Sequence, residues 1–184
     1  GSYVCNEPAT ATRADLTALA GRLRPHLSPG ARVEAYAGGS EVEGPPGLVD
    51  LVFTSPPYFN KERYFDEPGQ CWRDFPTLDA WVAGYLTPTL TRARDALARG
   101  GHIVLNVSAD MRDLLLSTAK GLGLVCVQEH KLILQRSHLN RRHGVTEAHG
   151  EPVLVFRRAS EAPPVALIEK DGAEQWRPVQ GTQG

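Results

Sequence analysis

The chain has 184 residues, 41% of them hydrophobic, with 20 Lys and Arg against 21 Asp and Glu, a formal net charge of −1. That length suits one domain with a real core, and the balanced charge gives no global attraction to polyanions, so nucleic-acid binding would require a local basic patch. Three widely spaced cysteines, Cys5, Cys71 and Cys126, form neither a disulfide framework nor a closely spaced zinc site, so the expectation is a reducing, cytoplasmic setting. No apolar run approaches a membrane span, and no charged-then-apolar leader opens the chain. Gly1-Ser2 reads either as a cloning scar or as native sequence.

In chain order, residues 3–8 predict a short strand ended by Pro8, with Glu7 at its carboxyl end. Residues 12–27 predict a helix, because Leu16, Leu19, Ala20, Leu23 and Leu27 share one face and Thr12 is a suitable N-cap. An acid between a strand and a helix suits a ribose-binding carboxylate of a nucleotide-binding α/β fold, and equally an exposed acid favoured by the helix dipole. Pro29-Gly30 ends the helix, residues 32–37 predict the next strand, and Gly38-Gly39-Ser40-Glu41 follows.

Residues 50–58 are the most informative stretch: Asp50-Leu51-Val52-Phe53-Thr54-Ser55-Pro56-Pro57-Tyr58. Leu51, Val52 and Phe53 predict a strand buried on both faces, and two prolines forbid its continuation because they lack N–H groups and fix φ. Open α/β sheets bind ligands outside the carboxyl ends of their strands, which is where this turn would lie. It offers a hydroxyl, prolyl carbonyls and an aromatic face, groups that suit a flat ring carrying an amino group. A bare turn or polyproline segment is the plain alternative.

This stretch resembles the catalytic motif of the DNA amino-methyltransferases, which move a methyl group from S-adenosylmethionine to an exocyclic base nitrogen. Its Thr-Ser-Pro-Pro-Tyr form is most typical of the cytosine-N4 branch, the adenine-N6 branch more often having Asp at the Ser55 position. The resemblance implies an α/β, Rossmann-like class I methyltransferase sheet with helices on both faces and a C-terminal antiparallel strand pair. It implies that Ser55 and the carbonyl of Pro56 accept the amino hydrogens, that Pro57 keeps the turn rigid and that Tyr58 stacks on an extruded base. Glu7, Ser40 and Thr54 become the cofactor candidates, Ser40 standing nearest the place where many relatives carry an acid for the adenine.

The predicted strands match the second, third and fourth of that sheet, and the first is missing. No Gly-rich turn follows an apolar strand where the methionine part of the cofactor would need one; the two Gly-Gly pairs, Gly38-Gly39 and Gly100-Gly101, do not supply it. The expectation is a sheet lacking its first strand, completed by an amino-terminal segment or a second chain.

Between residues 59 and 76, Phe59, Tyr64, Phe65, Trp72 and Phe75 interleave with Lys61, Arg63 and Arg73, a pattern that suits a loop closing over a flipped or single-stranded base. Core packing is the plainer role for Trp72 and Phe75, leaving Lys61 and Arg63 as contact candidates. Residues 78–97 predict a core-facing helix, either kinked at Pro88 or restarted there as a second piece, and ended by Gly100-Gly101, residues 102–107 a buried strand, and residues 111–122 a further helix. His102 falls at the strand's start, away from the site. Residues 124–134 and 152–157 predict two long strands. The loop between them concentrates Arg136, His138, Asn140, Arg141, Arg142 and His143, either a phosphate-tracking patch or a solvated loop. No second ligand set makes a metal site of its histidines with His149.

Residues 1–158 are thus read as a methyltransferase-like domain without its first strand, and 159–184 as a tail with a candidate hairpin around Asp171-Gly172. The implied activity is transfer of methyl from S-adenosylmethionine to an amino group of a DNA base, cytosine N4 before adenine N6. Two alternatives stay open: a binding module on this fold without turnover, and methylation of RNA or of a glutamine amide.

Overall fold

A computed structural model describes residues 1–45, 47–59, 63, 66, 68–133 and 150–162. Strand β1 (Tyr3–Glu7) passes through helix α1 (Thr10–Leu23) to β2 (Val33–Ala37), which pairs with β1 in parallel from Tyr3 opposite Val33 to Glu7 opposite Ala37. Parallel neighbours need a crossover, and α1 supplies it.

Strand β3 (Val49–Thr54) leads into the proline turn, a short α2 (Cys71–Asp74) and a segmented helix: α3 (Leu78–Trp81), a π turn (Val82–Leu86) and α4 (Thr87–Ala96). Thr77 caps α3 by accepting from the Ala80 amide, and Pro88 sits in the first turn of α4, directly after the π turn. The helix changes from π to α just ahead of that proline, so a second helical piece starts beside it. Then come β4 (Leu97–Asn106), α5 (Arg112–Gly121), β5 (Leu124–Ile133) and β6 (Gly150–Arg158). The second sheet runs β3-β4-β6-β5, with β3 parallel to β4 and β6 antiparallel to both of its neighbours. The architecture is α/β with a mixed sheet, as expected.

The core lies beneath this second sheet, where Trp81, Leu90, Ile103, Leu105, Leu154 and Phe156 are buried. Arg158 fastens the helical layer to it, its Nη2 donating to the carbonyls of Arg94 and Leu97 where α4 ends.

Three expectations need correction. Helix α1 starts at Thr10 without a side-chain cap, so Thr12 is not its N-cap, and none of its residues is buried; Leu19 and Leu23 stay exposed because only the narrow β1-β2 pair lies beneath them. The residues 97–101 are already extended, so Gly100-Gly101 does not end the helix. It lies in a bulge of β4, where pairing jumps from Val49 opposite Leu97 to Leu51 opposite His102, with Gly100 at φ 77°. Strand β3 is not buried on both faces. Val52 packs against the core, whereas Leu51 and Phe53, on the opposite face, are 57% and 67% exposed.

That exposure follows from the topology. The two sheets share no hydrogen-bonded pair among the described residues, and a trough of about 1200 Å³ separates them, lined by β1 on one side and β3 on the other. The break falls at the expected place of the first strand. Among the described residues no helix is long and apolar enough to cross a membrane, and no three His, Cys, Asp or Glu side chains group as metal ligands.

Candidate active site at the carboxyl ends of the strands

The parallel pair β3 and β4 runs to one rim: Thr54, opposite Leu105, is the last residue of β3, while β4 continues one residue further to Asn106, which still pairs with Val153 of β6. After Thr54 come Ser55, exposed, Pro56, buried, and Pro57 and Tyr58, both half-buried. Tyr58 and Phe59 pack against the core cluster. Phe59 lies 6.2 Å from Trp81, which lies 5.5 Å from Tyr85, so a file of rings ties the turn to the core. Phe59 is therefore an anchor of the turn. Phe75 also packs against the core, its ring lying where a side chain on Gly84 would otherwise stand. Trp72 is half-buried at the trough and carries the Arg63 guanidinium 4.9 Å above its ring. Arg73 pairs with Asp66 at 3.0 Å.

The Tyr58 hydroxyl donates to Glu151 Oε2 at 3.1 Å, and the same oxygen accepts from Asn106 Nδ2 at 2.9 Å. Asn106 ends β4, and Glu151 lies at the start of β6, beside it through the bond from the Val107 amide to the Pro152 carbonyl. Sequence reasoning missed both residues; nothing local marks a pairing across 93 positions.

The trough continues from this turn. Thr54, Ser55 and Pro57 line it together with Glu7, Ser40 and Glu41, so the two sets of candidates open onto one space. Glu7 ends β1, and its Oε1 accepts from the Ala9 amide at 2.7 Å, serving the start of α1 in place of a cap on that helix. Glu7 is thus half-buried, one oxygen at the start of the helix and the residue at the trough. The Ser40 hydroxyl lies 3.1 Å from Thr89 Oγ1 of α4. Burial first, with Asp74 adding to it, pushes the carboxyl of the neighbouring Glu41 above the usual range, and its Oε2 is buried without a partner among the described residues. Asn6 Nδ2 and Gln70 Nε2, on the same trough, are likewise buried and unpartnered among the described residues. Such atoms cost about 1–3 kcal/mol each when left unsatisfied, so two amide donors and a carboxylate acceptor here fit a polar ligand. Lys61, Arg136, Arg141 and Arg142 lie outside the described residues, as do Tyr64, Phe65, the three loop histidines and the tail hairpin.

The fold is Rossmann-like α/β, of the kind found in solved methyltransferases. No family model matches the sequence, and no curated protein matches it by sequence. Solved structures do match in fold. A protein from Thermoplasma acidophilum assigned as a methyltransferase has a TM-score of 0.53 at 12% identity, over 87% of this chain and 58% of that one. One from Pyrococcus horikoshii assigned as an RNA methyltransferase has a TM-score of 0.51 at 15% identity, over 84% and 62%. The O-MT region of StiE has a TM-score of 0.53 at 8% identity, over 86% and 60%. The chain spans about three fifths of the length of these structures. At such identities the likeness is one of fold: the strand arrangement matches the α/β sheet expected, and the function stays to be argued from the site.

Proposed function

We propose that this chain carries the base-receiving half of an S-adenosylmethionine-dependent methyltransferase acting on an exocyclic amino group of a DNA base, cytosine N4 before adenine N6. The observation that carries the reading is the place of Ser55-Pro56-Pro57-Tyr58, at the carboxyl end of β3, with Ser55 and Pro57 on the same trough as Glu7 and Glu41.

The target nitrogen is a weak nucleophile because its lone pair is delocalised into the ring, so the protein's task is orientation. The Ser55 hydroxyl and the Pro56 carbonyl accept its two hydrogens and favour a pyramidal nitrogen, while Pro57 holds the turn and Tyr58 stacks on the base. S-adenosylmethionine, when bound, supplies an electrophilic methyl on a sulfonium. Glu7 and Glu41 accept from its ribose hydroxyls and adenine amino group, and the Asn6 and Gln70 amides donate within the same trough. Thr54 borders it from β3. Arg63, Lys61 and the loop arginines Arg136, Arg141 and Arg142 are the phosphate-contact candidates.

The open trough supports a further element, which the resemblance supplies as an amino-terminal segment or a second chain. A strand entering between β1 and β3 would run parallel to β3, and parallel strands arrive with a crossover helix. The strand would pair the open edges and the helix would cover Leu51 and Phe53.

Two other readings have support of their own. The unpaired edges favour a partner-completed module that binds nucleic acid without turnover. The Pyrococcus horikoshii structure, described as an RNA methyltransferase, keeps RNA open as substrate. Transfer of labelled methyl to unmethylated DNA and to RNA by the natural full-length protein separates them. Label in DNA supports the proposal, label in RNA alone supports the second enzyme reading, and binding without label supports the module.

A further inference from the structure

Glu151 has no role in the motif reading, yet it is the meeting point of the site's two strand ends. Its Oε2 accepts from Tyr58 Oη and from Asn106 Nδ2 together, at 3.1 and 2.9 Å. A carboxylate can only accept, so it decides which end of the Asn106 amide turns toward it. The amino group must face Glu151, and Oδ1 is left on the other side. That oxygen is buried and has no partner among the described residues, as is Ser108 Oγ two residues on. With its oxygen unpartnered among the described residues, the Asn106 side chain is held at its amino end by Glu151.

We propose that Glu151 is a positioning residue of the base-receiving site: it fixes the plane of the Tyr58 ring and holds the Asn106 carboxamide in one orientation at the end of β4. The inference rests on the functional reading above. Tyr58 is tethered at both ends of its side chain, its ring packed against the core cluster and its hydroxyl on Glu151. A ring with only the first tether keeps its area but not its orientation, and catalysis is sensitive to misplacement of about 1 Å, worth up to about a hundredfold in rate. Glu151 does not line the trough that holds Glu7 and Glu41, so its effect falls on the base and not on the cofactor.

The test uses the natural full-length protein and measures methyl transfer from labelled S-adenosylmethionine to unmethylated mixed-sequence DNA. Glu151→Ala is expected to lower kcat about a hundredfold and leave the KM for S-adenosylmethionine within about twofold. Glu151→Gln, which keeps the volume and one acceptor but can also turn a donor toward Asn106, is expected to lower kcat about tenfold. Tyr58→Phe removes the same tether from the other side, so in the Glu151→Ala background it adds less than about twofold. A merely structural role would lower the melting temperature while leaving kcat per folded molecule intact, and would multiply with Tyr58→Phe. Either result overturns the inference. Because Glu151→Gln is nearly isosteric, it keeps the test open if Glu151→Ala does not fold. If the unaltered protein transfers no methyl group to DNA, the functional reading itself falls, and this inference with it. If that protein is active and both Glu151 variants match it, only the positioning role falls.

Discussion

Leu51 and Phe53 offer a test of how the sheet is completed. They stand 57% and 67% clear of the protein on the outer face of β3. Large apolar side chains bury about 150–250 Å² when fully covered. Covering the exposed part of this pair therefore withdraws about 200 Å² from water, about 5 kcal/mol at about 25 cal/mol per Å². Replacing both by Thr keeps strand propensity and removes most of that surface. In the chain of residues 1–184 the double replacement is expected to cost less than about 1 kcal/mol, since little buried contact is lost. In the protein isolated at its natural length, with any chain that copurifies, the same change is expected to cost about 3–5 kcal/mol. Urea denaturation of both forms, with and without the replacements, reads the difference from the midpoints at constant slope. Equal costs in the two contexts would refute the idea that a further element covers β3.

Glu41 predicts a pH dependence. Its carboxyl is raised above the usual 4.5 by burial, so the folded state holds that proton more tightly than the unfolded chain, and stability falls as pH rises from just below 4.5 through the raised value. Glu41→Gln should therefore melt higher than the unaltered chain at pH 7, with the gain fading as pH drops below about 4, and calorimetric scans across that range would expose a pH-independent effect as a contradiction. The same change should weaken S-adenosylmethionine binding to the full-length protein about fivefold, one charge-assisted acceptor having been replaced by a neutral one. Arg158→Ala should lower stability by about 3 kcal/mol and the melting temperature by about 10 °C, because Arg94 and Leu97 lose the donor that closes α4. A shift of only a degree or two by differential scanning fluorimetry would count against that clamp.

Much of this fold was legible because the relevant signals are local. Apolar runs bounded by proline, glycine or polar loops located β3, β4, β5 and β6 within a few residues, and the turn at Ser55-Pro56-Pro57-Tyr58 fell at the carboxyl rim its composition demanded. What a run of apolar residues cannot convey is which neighbours are present. Leu51-Val52-Phe53 has the composition of a doubly covered strand, and its exposure depends on what lies across the trough. Helix α1 likewise has an apolar face without the surface to bury it. The bulge at Gly100-Gly101 escaped because the same glycines serve equally well to stop a helix. Within the site, Ser40 was preferred to Glu41 by position alone, and only the fold places its hydroxyl against Thr89 while burying the acid beside the trough. Glu151 and Asn106 meet Tyr58 through pairings of β4 with β6 that span the chain, which no periodicity encodes.

The most direct measurement is the identity of the methylated product. The natural full-length protein, incubated with S-adenosylmethionine and unmethylated DNA, should yield N4-methylcytosine on nucleoside mass spectrometry, and Ser55→Ala and Tyr58→Ala should each reduce it by at least about a hundredfold. A methylated nucleoside formed at undiminished rate by both variants, or none formed at all by the unaltered protein, would contradict the assignment of Ser55-Pro56-Pro57-Tyr58 as the base-receiving site.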